Sequence, residues 1–209
     1  MELNIIRHAD PDYAHDSLTA KGFMQAEILA PTVIKYAPTH IYVSPMGRAQ
    51  ATAAPTLKML GMTPEILPWT GESMAYMQIP DLGGDVGEVT FNYKNGFVSE
   101  HDFCQYDGRP QLIEAMINGS DELLKKHGLV REGGTYRMIK NTGDRVCVFC
   151  HGGFGSAWIA HLMGISPLYG WHRFRIDTTS ITRFVFAGDE GDSVIPYCEF
   201  LNNTAHKTI

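Results

Sequence analysis

Leu3-Asn4-Ile5-Ile6-Arg7-His8-Ala9-Asp10-Pro11 begins apolar and turns polar within one step. The apolar run has strand length, and Pro11, with its fixed φ and no N–H, stops continuation into helix or sheet. The reading is a buried strand followed by a polar loop. Working outward, Thr19 precedes a helical stretch in which Phe23, Met24, Ala26 and Ile28 give two offset i, i+3 or i+4 pairs, with Pro31 expected to kink or end it. Ile41-Tyr42-Val43 reads as a second strand. Ser44 is placed as an N-cap with Pro45 at the first helical position, and Met46, Ala49, Ala53, Leu57 and Leu60 share a face before Gly61 closes the helix. The order so far is β-α-β-α, followed by a third strand-like run, Glu65-Ile66-Leu67.

Regularity fails between Pro68 and Pro110. That stretch holds Trp69, Tyr76, Phe91, Tyr93, Phe97, Phe103 and Tyr106 with no sustained period, so it reads as a lid or insertion with structure of its own. Its aromatics serve either as a stacking surface or as the lid's own small core. Leu112, Ile113, Met116, Ile117, Leu123 and Leu124 then mark an amphipathic helix ending near Gly128, and Gly133-Gly134 signals a hairpin. Val146 to Cys150 is an apolar strand, followed by His151-Gly152-Gly153 and a helix from about Gly155 to Met163. Two β-rich runs, Ser180 to Phe186 and Val194 to Leu201, close the chain. One domain over residues 1–209, with 68–110 as a lid insertion, accounts for this order.

Of the 209 residues, 44% are apolar and 19% charged, enough to bury a full core without disulfides or a structural metal. Disordered and fibrous classes are excluded. The net charge of −6 and a pI near 5.8 have the wrong sign for electrostatic capture of nucleic acid or an anionic membrane. No apolar run reaches the ~20 residues that span a bilayer, and no charged leader precedes the first strand, so the expected home is cytoplasmic. A homodimer is compatible with this composition. Cys104, Cys147, Cys150 and Cys198 are too few and scattered for a disulfide framework. Cys147 and Cys150 form C-x-x-C inside a strand-like run, where alternation sends them to opposite faces, so they read as core thiols.

Three strand ends carry chemistry: Arg7-His8 after the first strand, Arg48 after the second, and His151 after the strand at 146–150. In open α/β sheets ligands bind outside the carboxyl ends of strands, where helix N-termini also offer N–H groups to anions. Two arginines supply permanently charged forked donors; two imidazoles supply a nucleophile and a further donor. Together they suit one phosphate. Competing patterns fail. Continuing G-x-G-x-x-G from Gly153 puts Trp158 at the third glycine, Ser156 lacks the glycines of G-x-S-x-G, and no H-E-x-x-H occurs. His161, His172 and His206 read as structural, with His172 and Arg173 also candidates for a pocket rim.

Read jointly, these segments resemble the histidine phosphatase superfamily, the phosphoglycerate-mutase-like group. The resemblance rests on the strand-then-Arg7-His8 start, on Leu18-Thr19-Ala20-Lys21-Gly22 with Gln25-Ala26, and on Ser44-Pro45-Met46-Gly47-Arg48-Ala49-Gln50-Ala51-Thr52-Ala53. Val148-Phe149-Cys150-His151-Gly152-Gly153 and Asn203-Thr204-Ala205-His206 complete it. It implies a three-layer α/β/α sandwich around a mostly parallel sheet. It also implies His8 as nucleophile, Arg7 and Arg48 as the phosphate clamp, His151 as second histidine, Gly152 beside the substrate, and no metal or other cofactor. The acid/base is placed at Glu72, where the family's glutamate enters, with Asp85 and Glu88 as competitors. The implied activity is hydrolysis of a small phosphomonoester through a phosphohistidine; a mutase-type phosphotransferase and a non-catalytic phosphate-binding domain are the alternatives. Two positions depart from the family: Ala9 stands where glycine is usual, and Ala14 where an asparagine phosphate ligand is common. Residues 68–110 carry seven acidic side chains against Lys94 and Arg109, which favours a substrate with a single phosphate.

Overall fold

The computed structural model describes residues 1–73, 78–79, 84–85, 109–167, 170 and 174–208. The strands are β1 (Glu2–Arg7), β2 (Pro11–Asp12), β3 (Ser17–Leu18), β4 (His40–Val43), β5 (Glu65–Ile66), β6 (Gln78–Ile79), β7 (Gly84–Asp85), β8 (Leu129–Glu132), β9 (Thr135–Met138), β10 (Arg145–Cys150), β11 (Ile181–Val185), β12 (Ser193–Val194) and β13 (Tyr197–Asn203). The helices are α1 (Ala20–Lys35), α2 (Gly47–Leu60), α3 (Arg109–Lys126) and α4 (Gly152–Leu162). Six strands form the main sheet in the order β13-β11-β1-β10-β4-β5. Neighbours from β1 to β5 run parallel, while β11 is antiparallel to both β1 and β13. The sheet is thus mostly parallel, with one reversed strand.

Alternation along β1 and β10 sorts side chains between two apolar layers. Ile6, Cys147 and Phe149 face α1 and α2, where Leu29, Val33, Ala49 and Ala53 cover them. Leu3, Ile5, Val146, Val148 and Cys150 face the other way, against Met116 and Leu124 of α3 and Phe154, Trp158 and Ile159 of α4. Burial on both faces is why these parallel strands read as continuous apolar runs. The expected three-layer α/β/α sandwich is therefore found, and Cys147 and Cys150 lie on opposite faces. Burial pushes both thiols up, Cys147 to about 12, which suits core residues.

Several local expectations need correction. Helix α1 runs through Pro31 to Lys35, because Pro31 and Glu27, whose carbonyl loses its partner, are both exposed. Its buried face is Ala26, Leu29, Ala30 and Val33, while Phe23, Met24 and Ile28 are exposed. Helix α2 begins at Gly47, not Pro45, and its cap comes from far away: Asp16 Oδ2 accepts the Gly47 N–H at 2.7 Å. Helix α4 begins at Gly152, three residues earlier than its apolar pattern suggests. The last β-rich run is split by Pro196 into β12, which joins β9 and β8 in a small sheet, and β13 at the edge of the main sheet. Thr19 is the N-cap of α1, Gly61 closes α2 at φ 66°, and the β8–β9 hairpin forms as expected. Among the described residues no helix is long and apolar enough to cross a membrane.

Candidate active site

Three neighbouring parallel strands end at one edge, and each hands the chain to a polar residue. Register pairs Arg7 with Cys150 and Phe149 with Val43, so His8, His151 and Ser44 leave the sheet side by side. The His8 and His151 rings lie 5.2 Å apart. His8 is 2% exposed, and its Nδ1 is 2.7 Å from the Ala9 carbonyl. A carbonyl only accepts, so Nδ1 carries the hydrogen and Nε2 keeps the lone pair. Burial, reinforced by Arg7 and Arg48, lowers the His8 pKa to about 4, which leaves the ring neutral at pH 7.

The loop that holds His8 is tied on every side. His8 N–H donates to the Cys150 carbonyl at 2.9 Å, and Ala9 N–H to Thr52 Oγ1 of α2 at 2.9 Å. Asp10 N–H donates to Gln25, and the Asp10 carboxylate accepts from the Thr19 hydroxyl. Gly22 is forced by the same contact, since a Cβ there would sit 2.2 Å from the Asp10 carbonyl oxygen. The Leu18–Ala26 motif is thus the support of the His8 loop. Ala9 packs on Leu18 and Ala26; the left-handed residue in this loop is Asp16, φ 43°, so position 9 does not need glycine.

Arg7 Nη1 donates to the Ile176 carbonyl at 2.5 Å, and Arg48 Nη1 to Asp16 Oδ1 at 2.6 Å. His151 Nε2 lies 2.7 Å from Ser44 Oγ. Burial, then His8, Arg48 and Arg7, push the His151 pKa down to about 2, so this ring is also neutral. Arg7 Nε, Arg48 Nε and His151 Nδ1 are buried with no hydrogen-bond partner among the described residues. Buried polar atoms without partners are costly, and two guanidinium groups side by side favour an anion next to them. Two guanidinium groups beside two neutral imidazoles repel a cation at this edge, so the cluster does not suit a metal.

Glu72 follows the short 3₁₀ turn Pro68–Thr70. Its Oε2 accepts from Gly153 N–H at 3.0 Å and Oε1 from Phe154 N–H at 2.8 Å. This carboxylate supplies the missing cap of α4 and explains the early start of that helix. Burial raises the Glu72 pKa, outweighing the two N–H donors and the arginines that pull it down. Met46 Sδ joins the halves of the site, 3.2 Å from Arg48 Nη2 and 3.3 Å from Glu72 N. A Cβ at Gly152 would lie 3.1 Å from the Arg7 Cζ, and one at Gly153 2.8 Å from Glu72 Oε1, so a side chain at either position would press on a residue of the site. Trp69 packs edge-on against Trp158 and Phe154, which makes it a core residue. The other six aromatics of the insertion, together with Glu88, His172 and Arg173, lie outside the described residues, and of Asp85 only the backbone in β7 is described.

The order of these elements agrees with a family model. Residues 3–73 and 134–196 match the model of the histidine phosphatase superfamily, branch 1. The chain belongs to this superfamily. No curated protein matches the sequence. Among solved structures, a phosphoserine phosphatase from Entamoeba histolytica in complex with phosphoserine is similar at TM-score 0.69 and 22% identity, over 98% of each chain. A mycobacterial glucosyl-3-phosphoglycerate phosphatase gives TM-score 0.62 at 17% identity, covering 97% of this chain and 99% of that one. An alpha-ribazole phosphatase from Shigella flexneri gives 0.64 at 19% identity, covering 97% and 96%. The superfamily fold is common to all three.

Four residues of the site take roles that the motifs do not assign. Asp16 holds Arg48; Ser44, expected as a helix cap, holds His151 instead; Thr52 links the Ala9 N–H to α2, its hydroxyl donating to the Arg48 carbonyl at 2.7 Å. Thr179, left-handed at φ 58°, donates its N–H toward the carbonyls of Arg7 and His8 and takes its support from His206 Nε2 at 3.1 Å. His206 is structural, as its sequence context suggests. Ser44 and Thr52 lie in the Ser44–Ala53 segment that carries the resemblance, and Asp16 and Thr179 lie in none of its segments.

Proposed function

We propose that this superfamily member is a phosphatase that hydrolyses a small phosphomonoester through a phosphohistidine on His8, with no metal required. The observation that carries the reading is the His8 Nε2 lone pair beside two buried guanidinium donors without partners, Arg7 Nε and Arg48 Nε, and the equally partnerless His151 Nδ1. In the first step Nε2 attacks phosphorus in line, an N–P bond forms, the ester P–O bond breaks, and protonated Glu72 gives its proton to the leaving alkoxide. In the second step Glu72, now ionised, takes a proton from water; the water oxygen bonds to phosphorus and the N–P bond breaks, releasing phosphate and restoring neutral His8. Arg7, Arg48 and His151 hold the charge that spreads over the equatorial oxygens, with no reorganisation needed. The guanidinium groups supply the positive charge that a metal supplies in other phosphatases.

Three considerations support this reading. The similar solved structures are phosphatases by their own descriptions. Burial keeps His8 neutral, as attack requires, and raises the Glu72 pKa, the direction that favours a general acid. The acidic excess of residues 68–110 repels a second phosphate and fits a substrate whose remainder is uncharged or apolar. The test is hydrolysis of p-nitrophenyl phosphate in EDTA by wild type and by His8→Ala. Turnover by wild type alone is the expected result, and equal turnover by both overturns the reading.

A further inference from the structure

At the opposite edge of the main sheet, where β4 and β10 begin, three side chains from three segments converge. His40 is the first residue of β4, His127 follows the last turn of α3, and Asp144 stands just before β10. Their donor atoms all lie within 4.8 Å of one another. We propose that His40, His127 and Asp144 form a binding site for a divalent first-row transition-metal ion, of which Zn²⁺ is the natural probe. The site is separate from the His8 cluster by about one strand length, roughly 15–20 Å, and does not rest on the phosphatase reading.

An ion would join Asp144 to His40, which no direct hydrogen bond joins. Asp144 turns one oxygen to each ring: Oδ2 lies 2.7 Å from His127 Nδ1, a good hydrogen bond, while Oδ1 lies 3.7 Å from His40 Nδ1, too far for one. Zn²⁺ binds nitrogen and oxygen donors at about 2.0–2.2 Å, which places ligand atoms about 3–3.5 Å apart. Closing the present cluster to that size needs a shift of about 1.5 Å, in which the His40 ring, 42% exposed, exchanges the 2.9 Å hydrogen bond between its Nδ1 and the Thr39 hydroxyl for the ion. The same exposure gives the ion a way in. Two imidazoles and one carboxylate leave a fourth position for water and select a borderline ion over Ca²⁺ or Mg²⁺, which prefer all-oxygen sets.

His127 is already held as a ligand is held. It is 2% exposed, and its Nε2 is 2.9 Å from the Tyr42 hydroxyl, the kind of outer partner that fixes ring orientation at metal sites. Without the ion, Nδ1–H donates to Asp144 and Nε2 accepts from Tyr42. With the ion, the hydrogen moves to Nε2 and donates to Tyr42, and the freed Nδ1 lone pair faces the metal; the ring loses no proton overall. Lys126, over the Tyr42 ring, has its charge offset by an ion pair with Glu65.

The experiment uses the full chain stripped with EDTA and dialysed, then titrated calorimetrically with Zn²⁺, with Co²⁺ absorption as a second readout of coordination. Because His8 and His151 are also paired imidazoles, wild type is compared with His8→Ala and with His40→Ala. Wild type and His8→Ala should each bind Zn²⁺ with its melting temperature raised, while His40→Ala binds at least ~100-fold more weakly and loses the thermal shift. Hydrolysis of p-nitrophenyl phosphate by His40→Ala should be unchanged. If His40→Ala proves unstable in EDTA, His40→Gln and Asp144→Asn give the same comparison. No binding by wild type at ~0.1 mM Zn²⁺, or binding that survives His40→Ala and is lost in His8→Ala, overturns the proposal.

Discussion

The two edges of the main sheet set histidines among opposite charges. At the carboxyl edge His8 and His151 stand beside Arg7 and Arg48; at the amino edge His40 and His127 face Asp144. Burial lowers the pKa of His8, His151 and His127 alike, so burial does not distinguish the two places. Neighbours do, and strand direction selects the neighbours. Parallel strands put the starts of α2 and α4, each capped by a carboxylate, at the carboxyl edge, and the end of α3 at the amino edge. A helix start favours an anion and a helix end a cation. One fold therefore prepares an anion site and a cation site at opposite ends of the same strands.

The largest effect that would break this comparison is loss of the proposed carboxyl-edge nucleophile. His8→Ala should lower turnover of p-nitrophenyl phosphate by at least ~10³-fold, measured at saturating substrate. Arg48→Ala should lower kcat/KM by about 10²–10³-fold and weaken inhibition by inorganic phosphate, because a forked cation opposite the developing charge is removed. Glu72→Gln should slow hydrolysis of an alkyl phosphate by ~10²-fold or more relative to p-nitrophenyl phosphate, whose leaving group departs without a proton. Equal losses on both substrates would take the acid role away from Glu72.

Two smaller effects sharpen the contrast. His8 and His151 titrate near 4 and 2 when folded but near 6.5 when unfolded, so the unfolded chain binds more protons as pH drops below 6.5. Their contribution to stability is complete above that value and declines toward pH 4 and below. Denaturant midpoints measured from pH 7 to pH 4 should fall, and fall less steeply in His8→Asn. Asp16→Asn should change least. The Arg48–Asp16 pair is 47% exposed on the Asp16 side, and such pairs contribute ~0.2–1 kcal/mol. Releasing Arg48 from that carboxylate should tighten inhibition by phosphate by no more than about fivefold, with kcat little changed.

How much of this is legible in the sequence follows from where each interaction is made. The strands, the hairpin at Gly133-Gly134 and the polar residues after each strand can be read, because apolar periodicity and local turn chemistry stay within a few residues. Glu72 is legible only through the family resemblance, and its partners, the N–H groups of Gly153 and Phe154, are set by folding. The helix starts are misplaced for the same reason: Asp16 caps α2 across 31 residues and Glu72 caps α4 across about 80. The exposed face of α1 is misread because Gly22 and Ala30 contribute no bulk to a hydrophobic pattern yet sit at its contacts. His40, His127 and Asp144 show no motif at all, since three separate segments bring them together.

The central claim is that His8 Nε2 accepts the phosphoryl group. The direct measurement is rapid acid-free quenching of Glu72→Gln with p-nitrophenyl phosphate, followed by intact-mass and peptide analysis under alkaline conditions that preserve phosphohistidine. The account predicts one added phosphoryl group on the peptide carrying His8, base-stable, acid-labile and absent when His8 is also replaced by Ala. Turnover by the wild type with no such adduct in either protein, or an adduct carried by His151, would contradict it.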